Sequence, residues 1–359
     1  MNISLQRICV WAAVLFVSGI IQTLSAQDIH FSQFYNSSLN LNPGLTGVHG
    51  GDVRIGGNFR QQWESVPVPY LTFSGMYETR IKEDTRKNGY FSGAVLFNYD
   101  RAGDAKLSMT NFGLSGSYST QLSEKVFLTG GAQLMLNQRA FRTDDLRFGD
   151  QFNGESFDPT LPQESFTNTN NFYADLSLGG NVRFQMKNAN RWKRRSKLDV
   201  GVGLFHLNRP QLGFYDSEDI KLPIRVSIYA MGMLMVSPAF DIVLNGSVQL
   251  QNPYQENVFG AGGRIHLNRK RTKEAALQLG ASYRFNRFGE TTLPSEKFGD
   301  AIIPNLELHF TQWRFGASYD INISDFSVAT ENRGGPEFSV QYLIYKVKPL
   351  PQFKICPII

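Results

Sequence analysis

Histidines and clustered carboxylates are the residues of this chain whose types could support chemistry. The five histidines are scattered along the sequence, and none forms the close ligand pair of an H-E-x-x-H metal site. His266 and His309 could meet as a catalytic or metal pair if both faced one interior, but a place in a polar hydrogen-bond network is the simpler interpretation. We therefore expect no enzymatic activity and no cofactor.

A long segment at 140–172 holds the other candidate site. Its oxygen-bearing side chains could bind Ca²⁺ in a flexible loop, although their spacing does not match an EF-hand and a solvated acidic loop is the alternative. The residues concerned are Asp144, Asp145, Asp150, Asn153, Glu155 and Asp158.

The elements that must position such residues are strands. From Ala275 to Asn286 apolar residues alternate with mostly polar ones, so a strand here presents one apolar and one polar face. This pattern recurs in about fourteen segments between 52 and 347. Most of these segments have the roughly nine to eleven residues that a tilted strand needs to cross a bilayer.

The charged residues favour a membrane barrel over a soluble β-sandwich, which also alternates. In segment after segment they lie on the polar face, opposite the apolar one; examples are Arg54, Arg60, Asp175, Arg183, Asp241, Arg264, Glu307, Arg314 and Asp320. A charge facing lipid at the midplane costs about 2–4 kcal/mol, whereas a charge in a lumen can be paired or hydrated. We predict an all-β fold, a transmembrane antiparallel β-barrel.

The two ends of the chain differ from the barrel. Residues 1–26 have the basic start, apolar run and small residue before the cut that are typical of a signal peptide. Residues 27–51 are predicted to be an ordered segment that plugs the lumen or caps the barrel from the periplasm. Prolines end the last strand and leave a short tail at 348–359, with Cys356 as a lone cysteine once the signal peptide is removed.

Connection lengths predict the orientation. Odd-numbered connections include the long ones, and even-numbered connections are mostly short. Bacterial barrels have short periplasmic turns and long outer loops, so we predict a periplasmic N-terminus and extracellular long loops. Aromatic residues near strand ends predict interfacial girdles; they are Tyr70, Tyr90, Tyr99, Tyr118, Phe172, Tyr173, Phe310, Trp313, Tyr319 and Tyr345.

Basic clusters fall in or beside the even-numbered connections. They could be solvated turns, contacts with anionic headgroups, or a docking ring for a periplasmic partner. The partner-binding candidates in them are Arg86, Lys87, Arg191, Arg194, Arg195, Arg269, Lys270 and Arg271. Nucleic acid is a poor partner for an exported chain.

Motifs outside and between the strands carry a family resemblance that spans the predicted mature chain. They are Phe31-Ser32-Gln33-Phe34-Tyr35, Leu41-Asn42-Pro43 with Thr46-Gly47, Arg60 with Gln62-Trp63, Pro69-Tyr70, Gly335-Pro336-Glu337-Phe338 and Cys356-Pro357. With these motifs the chain resembles the PorP/SprF family of type IX secretion system outer-membrane proteins of Bacteroidetes. Gly44 departs from the alanine that is frequent in the family, and Ile358-Ile359 from its basic-aromatic ending.

The resemblance implies a barrel of the secretion or gliding machinery. Some members support secretion through periplasmic ring and peptidoglycan-binding components, and others hold a secreted adhesin by its C-terminal domain. Further candidates for partner contact are Phe31, Phe34, Tyr35, Trp63, Tyr70 and Cys356. The alternatives left open are a porin or small-solute transporter and, less simply, an outer-membrane enzyme.

Overall fold

A closed barrel of fourteen antiparallel strands forms the protein. The computed structural model describes residues 28–62, 70–84, 89–103, 106–143, 146, 149–152, 156, 158, 168–186, 195–214, 220–269, 273–288, 299–324 and 327–345. The predicted signal peptide, the C-terminal tail and most of the acidic segment at 140–172 lie outside the described residues.

The strands follow the predicted ladder, with ends that differ by a few residues. They are β1 Val53–Gln62, β2 Tyr70–Asp84, β3 Gly89–Ala102, β4 Leu107–Ser123, β5 Val126–Ala140, β6 Asn170–Gln185, β7 Lys197–Phe205, β8 Arg225–Ser237, β9 Phe240–Gln251, β10 Tyr254–Asn268, β11 Ala275–Phe288, β12 Ala301–Phe310, β13 Trp313–Asn322 and β14 Arg333–Ile344. Each pairs with its sequence neighbours, and β1 closes the barrel on β14, with Gly57 opposite Val340.

The strand β14 begins at Arg333 and runs through a proline. Pro336 lies inside β14, opposite Tyr319 of β13. A proline removes one ladder donor but keeps its carbonyl, so the strand continues through it.

Among the described residues, helical structure is restricted to short turns. Those before the barrel span Phe34–Asn36, Ser38–Leu41 and Pro43–Leu45, and two more span Gly149–Gln151 and Ser327–Thr330. None of the helices in the described part of the chain has the length and hydropathy that a bilayer crossing demands.

Burial along the strands is inverted relative to a soluble protein. In β12, Leu306 is 42% exposed on the outer face while Glu307 is 6% exposed on the inner face. Apolar side chains likewise cover the outside of the other strands, and charged ones line the lumen. This arrangement confirms the predicted barrel and excludes the sandwich, whose charged face would lie in water.

The girdle prediction is wrong for two aromatic residues. Tyr70, Phe172 and Trp313 point outward and are exposed. Tyr90 instead lies under the guanidinium of Arg80, whose Cζ is 4.6 Å from the ring centroid, and Tyr173 lines a cavity inside the barrel. Both have the strand parity of the inner face, and position near a strand end does not override that parity.

The barrel has two distinct ends. We call the end with the connections after β1, β3, β5 and every second strand onward the loop rim, because the long β5–β6 connection from Ala140 to Asn170 lies there. We call the end where β1 begins and β14 ends the terminal rim. Its turns include the short β8–β9 connection, in which Pro238 and Ala239 separate Ser237 from Phe240.

Candidate functional site: a chain segment inside the barrel

The chain before β1 runs through the interior of the barrel. We call residues 28–50 the lumen segment. Its apolar side chains are buried, with Phe31 and Phe34 each 3% exposed and Leu39 fully buried. It contacts the loop-rim ends of the strands at Asp28 and reaches the terminal rim before β1 begins at Val53.

An ion-pair cluster on the wall holds the first part of the lumen segment near the loop rim. Asp320 pairs with Arg60 at 2.8 Å and with Arg284 at 2.8 Å, and all three side chains are buried. Ser32 Oγ donates to Asp320 Oδ1 at 2.7 Å. Glu337 accepts the backbone N–H of Ser32 at 2.7 Å. We call these five residues the Asp320 anchor.

The Asp320 anchor satisfies charges that would otherwise be costly. A buried ion pair is tolerated when its geometry is good and its remaining lone pairs are hydrogen-bonded. Here the second carboxylate, Glu337, also accepts the backbone N–H of Gln33 at 2.9 Å, and Arg60 donates to the carbonyl of His30 at 3.0 Å. The wall therefore recognises the backbone of the lumen segment as well as its side chains.

A second anchor fixes the first described residue of the lumen segment. The ring nitrogens of His206, which follows β7, lie 2.8 Å from Asp175 Oδ2 and 2.6 Å from Asp28 Oδ2. Arg225 Nε lies 3.1 Å from the same oxygen of Asp28. Burial alone would lower the pKa of His206, but the carboxylates of Asp28 and Asp175 outweigh it and raise the pKa to about 9. His206 is therefore a cation at neutral pH.

The carboxyl group of Asp28 shows the complementary effect. Burial alone would raise its pKa, but His206 and Arg225 hold the pKa well below the usual value. Asp28 is therefore ionised throughout the neutral range, and we call Asp28, Asp175, His206 and Arg225 the His206 anchor.

The middle of the lumen segment lies against a wall of glycines. Asn42 is fully buried and donates to the carbonyl of Gly180 at 2.8 Å and to Tyr229 Oη at 3.0 Å. A methyl group built on Gly179 would overlap Asn42 Oδ1, and one on Gly131 would overlap the carbonyl of Pro43. The glycines therefore permit backbone-to-backbone contact that any side chain would prevent.

The last part of the lumen segment binds polar residues of β2 and β4. Thr46 Oγ1 lies 2.7 Å from Ser115 Oγ, and Ser117 Oγ donates to the Thr46 carbonyl at 2.7 Å. Glu78 accepts the backbone N–H of Gly47 at 2.9 Å while it pairs with Arg54 Nε at 2.8 Å.

Apolar contacts complete the packing of the lumen segment. Its larger side chains meet Tyr229 and Val258 of the wall in one cluster, and Leu39 meets Met76, Leu96 and Met135 in another. One cavity of about 30 Å³ lies beside Asp28 and His206, which is room for a water molecule or two. The described lumen segment therefore fills much of the space that an open channel would need.

The two histidines considered as a pair occupy separate sites. His266 Nε2 lies 2.7 Å from Asp241 Oδ2, and His309 Nε2 lies 2.9 Å from Glu307 Oε2. Each thus has its own carboxylate partner in the lumen network. Within the described ranges, no group of three or more His, Cys, Asp or Glu side chains could hold a metal ion.

The predicted partner-binding residues fall into three groups. Phe31, Phe34 and Tyr35 lie inside the lumen, where an external partner does not reach them unless the lumen segment moves. Tyr70 is exposed at the loop rim, while Arg195 and Arg269 lie at the terminal rim. The others lie outside the described residues: Trp63, Arg86, Lys87, Arg191, Arg194, Lys270, Arg271 and Cys356.

Several residues that hold the lumen segment were not singled out as site residues from the sequence. Asp28, Glu78, His206, Arg225 and Tyr229 had no distinctive motif. The family motifs were the available signal, because Ser32, Asn42, Thr46, Arg60 and Glu337 all belong to them and all make contacts between the lumen segment and the wall.

Comparison with solved structures returns other barrels. CymD, a monoaromatic hydrocarbon channel, has a TM-score of 0.47 at 9% identity over 87% of this chain and 93% of its own. The P. putida toluene transporter TodX has a TM-score of 0.45 at 8% identity over 87% and 95%. BamA from Haemophilus ducreyi, lacking POTRA domains 1–3, has a TM-score of 0.40 at 10% identity over 82% and 70%.

Sequence comparison identifies the family. A search of curated proteins finds no match. The family model for the type IX secretion system membrane protein PorP/SprF matches residues 23–342, which covers the lumen segment and nearly the whole barrel. This chain therefore belongs to the PorP/SprF family of type IX secretion system membrane proteins.

Proposed function

We propose that this chain is a non-enzymatic outer-membrane component that supports export or surface attachment of a type IX substrate. It binds the C-terminal domain of a secreted, adhesin-like protein and docks to periplasmic ring and peptidoglycan-binding components. The observation that carries this proposal is the lumen segment, which fills the barrel with buried contacts of its own chain. A barrel filled in this way is better suited to present surfaces at its rims than to pass solutes.

We assign the two rims to two partners from the predicted orientation. With β1 starting on the periplasmic side, the loop rim faces outward and the terminal rim faces the periplasm. The loop rim, with Tyr70, Trp63 and the 140–172 segment, receives the substrate domain. The basic turns of the terminal rim dock the periplasmic components, because charge sets orientation and encounter rate between partners.

The aromatic motif has a different role in this proposal. Phe31 and Phe34 are buried within the barrel, so they hold the lumen segment in place rather than contact a partner directly. Their contribution to partner binding is then indirect, through the shape of both rims.

A pull-down from outer membranes in mild detergent tests this function. We expect the tagged wild-type protein to retain a large secreted protein and periplasmic components, identified by mass spectrometry. The triple variant R269Q/K270Q/R271Q should lose the periplasmic components and keep the substrate, while R333Q, an exposed charge change at the loop rim, should keep both. Recovery of the wild-type protein alone would contradict the proposal.

A small-solute transporter is the second candidate. The charged lumen wall and the polar cavity beside Asp28 favour it. Liposome swelling in sugars separates the two functions, because a transporter would admit the sugar and a barrel filled by its lumen segment would not.

A further inference from the structure

Cationic side chains outnumber their carboxylate partners inside the terminal rim. Four arginines there have a carboxylate nearby. Arg54 pairs with Glu78 and Arg183 Nε lies 2.7 Å from Asp199. Arg195 Nη2 lies 2.9 Å from Asp241, and Arg264 Nη2 lies 3.9 Å from Glu307.

Lys197 and Arg314 are different. Both point into the lumen and are half-buried, and neither has a carboxylate within ion-pair distance in the described part of the chain. Arg314 stands between His309 and Gln341 in the strand register. Arg183, Arg264 and Arg314 all repel the charge of Lys197, whereas Asp199 of the same strand attracts it. An anion between them would relieve that repulsion.

His49 supplies a second observation, and Arg183 Nη2 reaches its neighbourhood by donating to the carbonyl of Val48 at 3.3 Å. It is 5% exposed, and among the described residues neither of its ring nitrogens has a hydrogen-bond partner. Buried polar groups in proteins are nearly always paired, so an unpaired imidazole indicates a missing partner. Burial and then the charges of Arg54, Arg80, Arg314 and Arg183 hold the pKa of His49 well below its usual value. A neutral imidazole carries one N–H donor, and an oxyanion would accept from it while also binding the surrounding cations.

We propose that His49, Lys197 and Arg314 form an oxyanion-binding site inside the terminal rim, and that its ligand is a carboxylate of an acidic peptide segment. This inference rests on the proposed docking role of the terminal rim and adds the chemistry of the partner. Membrane lipid is disfavoured as the source of the anion, because the outward neighbours Leu198 and Phe315 carry the lipid-facing surface and the three site residues lie behind them.

A peptide-binding measurement on the purified full chain in detergent tests the site. The probe is a fluorescent hexaglutamate peptide followed by anisotropy, with inorganic phosphate and anionic nanodiscs as competitors. We expect saturable binding that K197Q/R314Q weakens about tenfold, since two half-exposed charge contacts together contribute on the order of one decade. The matched control R333Q removes an exposed loop-rim charge and should leave the affinity unchanged.

A neutral substitution separates a built site from diffuse charge attraction. H49A removes no charge, so it should weaken hexaglutamate binding only if His49 contacts the ligand. Heat-modifiable gel mobility confirms that each variant retains its barrel. The inference is overturned if the wild type and the three variants bind hexaglutamate with equal affinity. It is also overturned if the protein binds phosphate but not hexaglutamate, or if nanodiscs compete with the peptide and phosphate does not.

The two proposals fail in different ways. If the wild-type protein does not bind hexaglutamate but still recovers its partners in the pull-down, the oxyanion site is overturned. The proposed function then remains intact. If the protein binds the peptide saturably but recovers no partners, the proposed function is overturned and the oxyanion site stands.

Discussion

The lumen carries similar charged side chains near both rims, but they have different partners at each. Near the loop rim, Asp320 and Glu337 accept from Arg60 and Arg284 and from the lumen segment itself, so charges there are matched within the chain. Inside the terminal rim, Lys197 and Arg314 have no such match in the described structure. Matched charges hold a chain segment in place, whereas unmatched charges remain available to another molecule.

The difference in pairing follows from how deeply the charges are buried near each rim. A buried ion pair fixes geometry strongly, because removing one partner leaves an uncompensated charge. A half-buried cation keeps part of its hydration and can exchange water for a ligand. One inward strand face can therefore hold the lumen segment at one end and recruit a partner at the other.

The largest expected effect comes from breaking the Asp320 anchor. D320N leaves Arg60 and Arg284 with reduced charge compensation, and losing one partner of a buried pair costs about 3–5 kcal/mol. Hydrogen exchange of residues 28–35 should become much faster while the strands stay protected. The control E331Q alters an exposed pair with Arg333 and should change exchange little. Equal exchange in both variants would mean that the anchor does not hold the lumen segment.

Raising the pH should loosen the His206 anchor next. The raised pKa of His206 means that its stabilisation is fully present below the unfolded pKa of 6.5 and is lost as pH rises through about 9. The charged His206 contributes up to about 3 kcal/mol to the free energy of unfolding, and this contribution is lost when it deprotonates. Exchange at residues 28–30 should therefore increase above pH 9 beyond the intrinsic rise.

The variant H206Q makes that pH prediction specific. It has no titrating imidazole, so the extra increase above pH 9 should be absent and exchange should be faster at neutral pH. A wild-type profile that parallels H206Q across this range would contradict the role given to the ion pairs with Asp28 and Asp175.

A smaller effect is expected where the lumen segment meets the glycine wall. G179A places a methyl group on Asn42 Oδ1, and overpacking of this kind costs about 1–3 kcal/mol. G130A is the matched control in the same ladder, because a methyl group there meets nothing within 4 Å. Thermal unfolding should separate the two variants, and identical midpoints would show that the contact with Asn42 is not close.

The sequence carried most of the fold because a barrel strand has a two-residue period. The alternation at 275–286 and the inward parity of Arg54 or Glu307 follow from that period alone and are confirmed. Tyr90 and Tyr173 were misassigned where position near a strand end was given more weight than parity.

The candidate site was much less accessible to sequence reasoning. Ser32 and Glu337 are separated by 305 positions, and no local pattern relates a serine before the barrel to a carboxylate of the last strand. The role of Gly179 depends on the Asn42 side chain and the Gly44 backbone, which approach it from the lumen segment. Such contacts depend on the tertiary structure. The family motifs therefore contain the contacting residues but do not indicate which residue contacts which.

Single-channel recording in planar bilayers tests the central claim, that the lumen segment fills the barrel. The wild-type protein should show little steady conductance, and the double variant D320N/G179A should open frequently because both its anchor and its glycine contact are weakened. Steady wild-type conductance that the double variant leaves unchanged would contradict the account and favour a solute transporter.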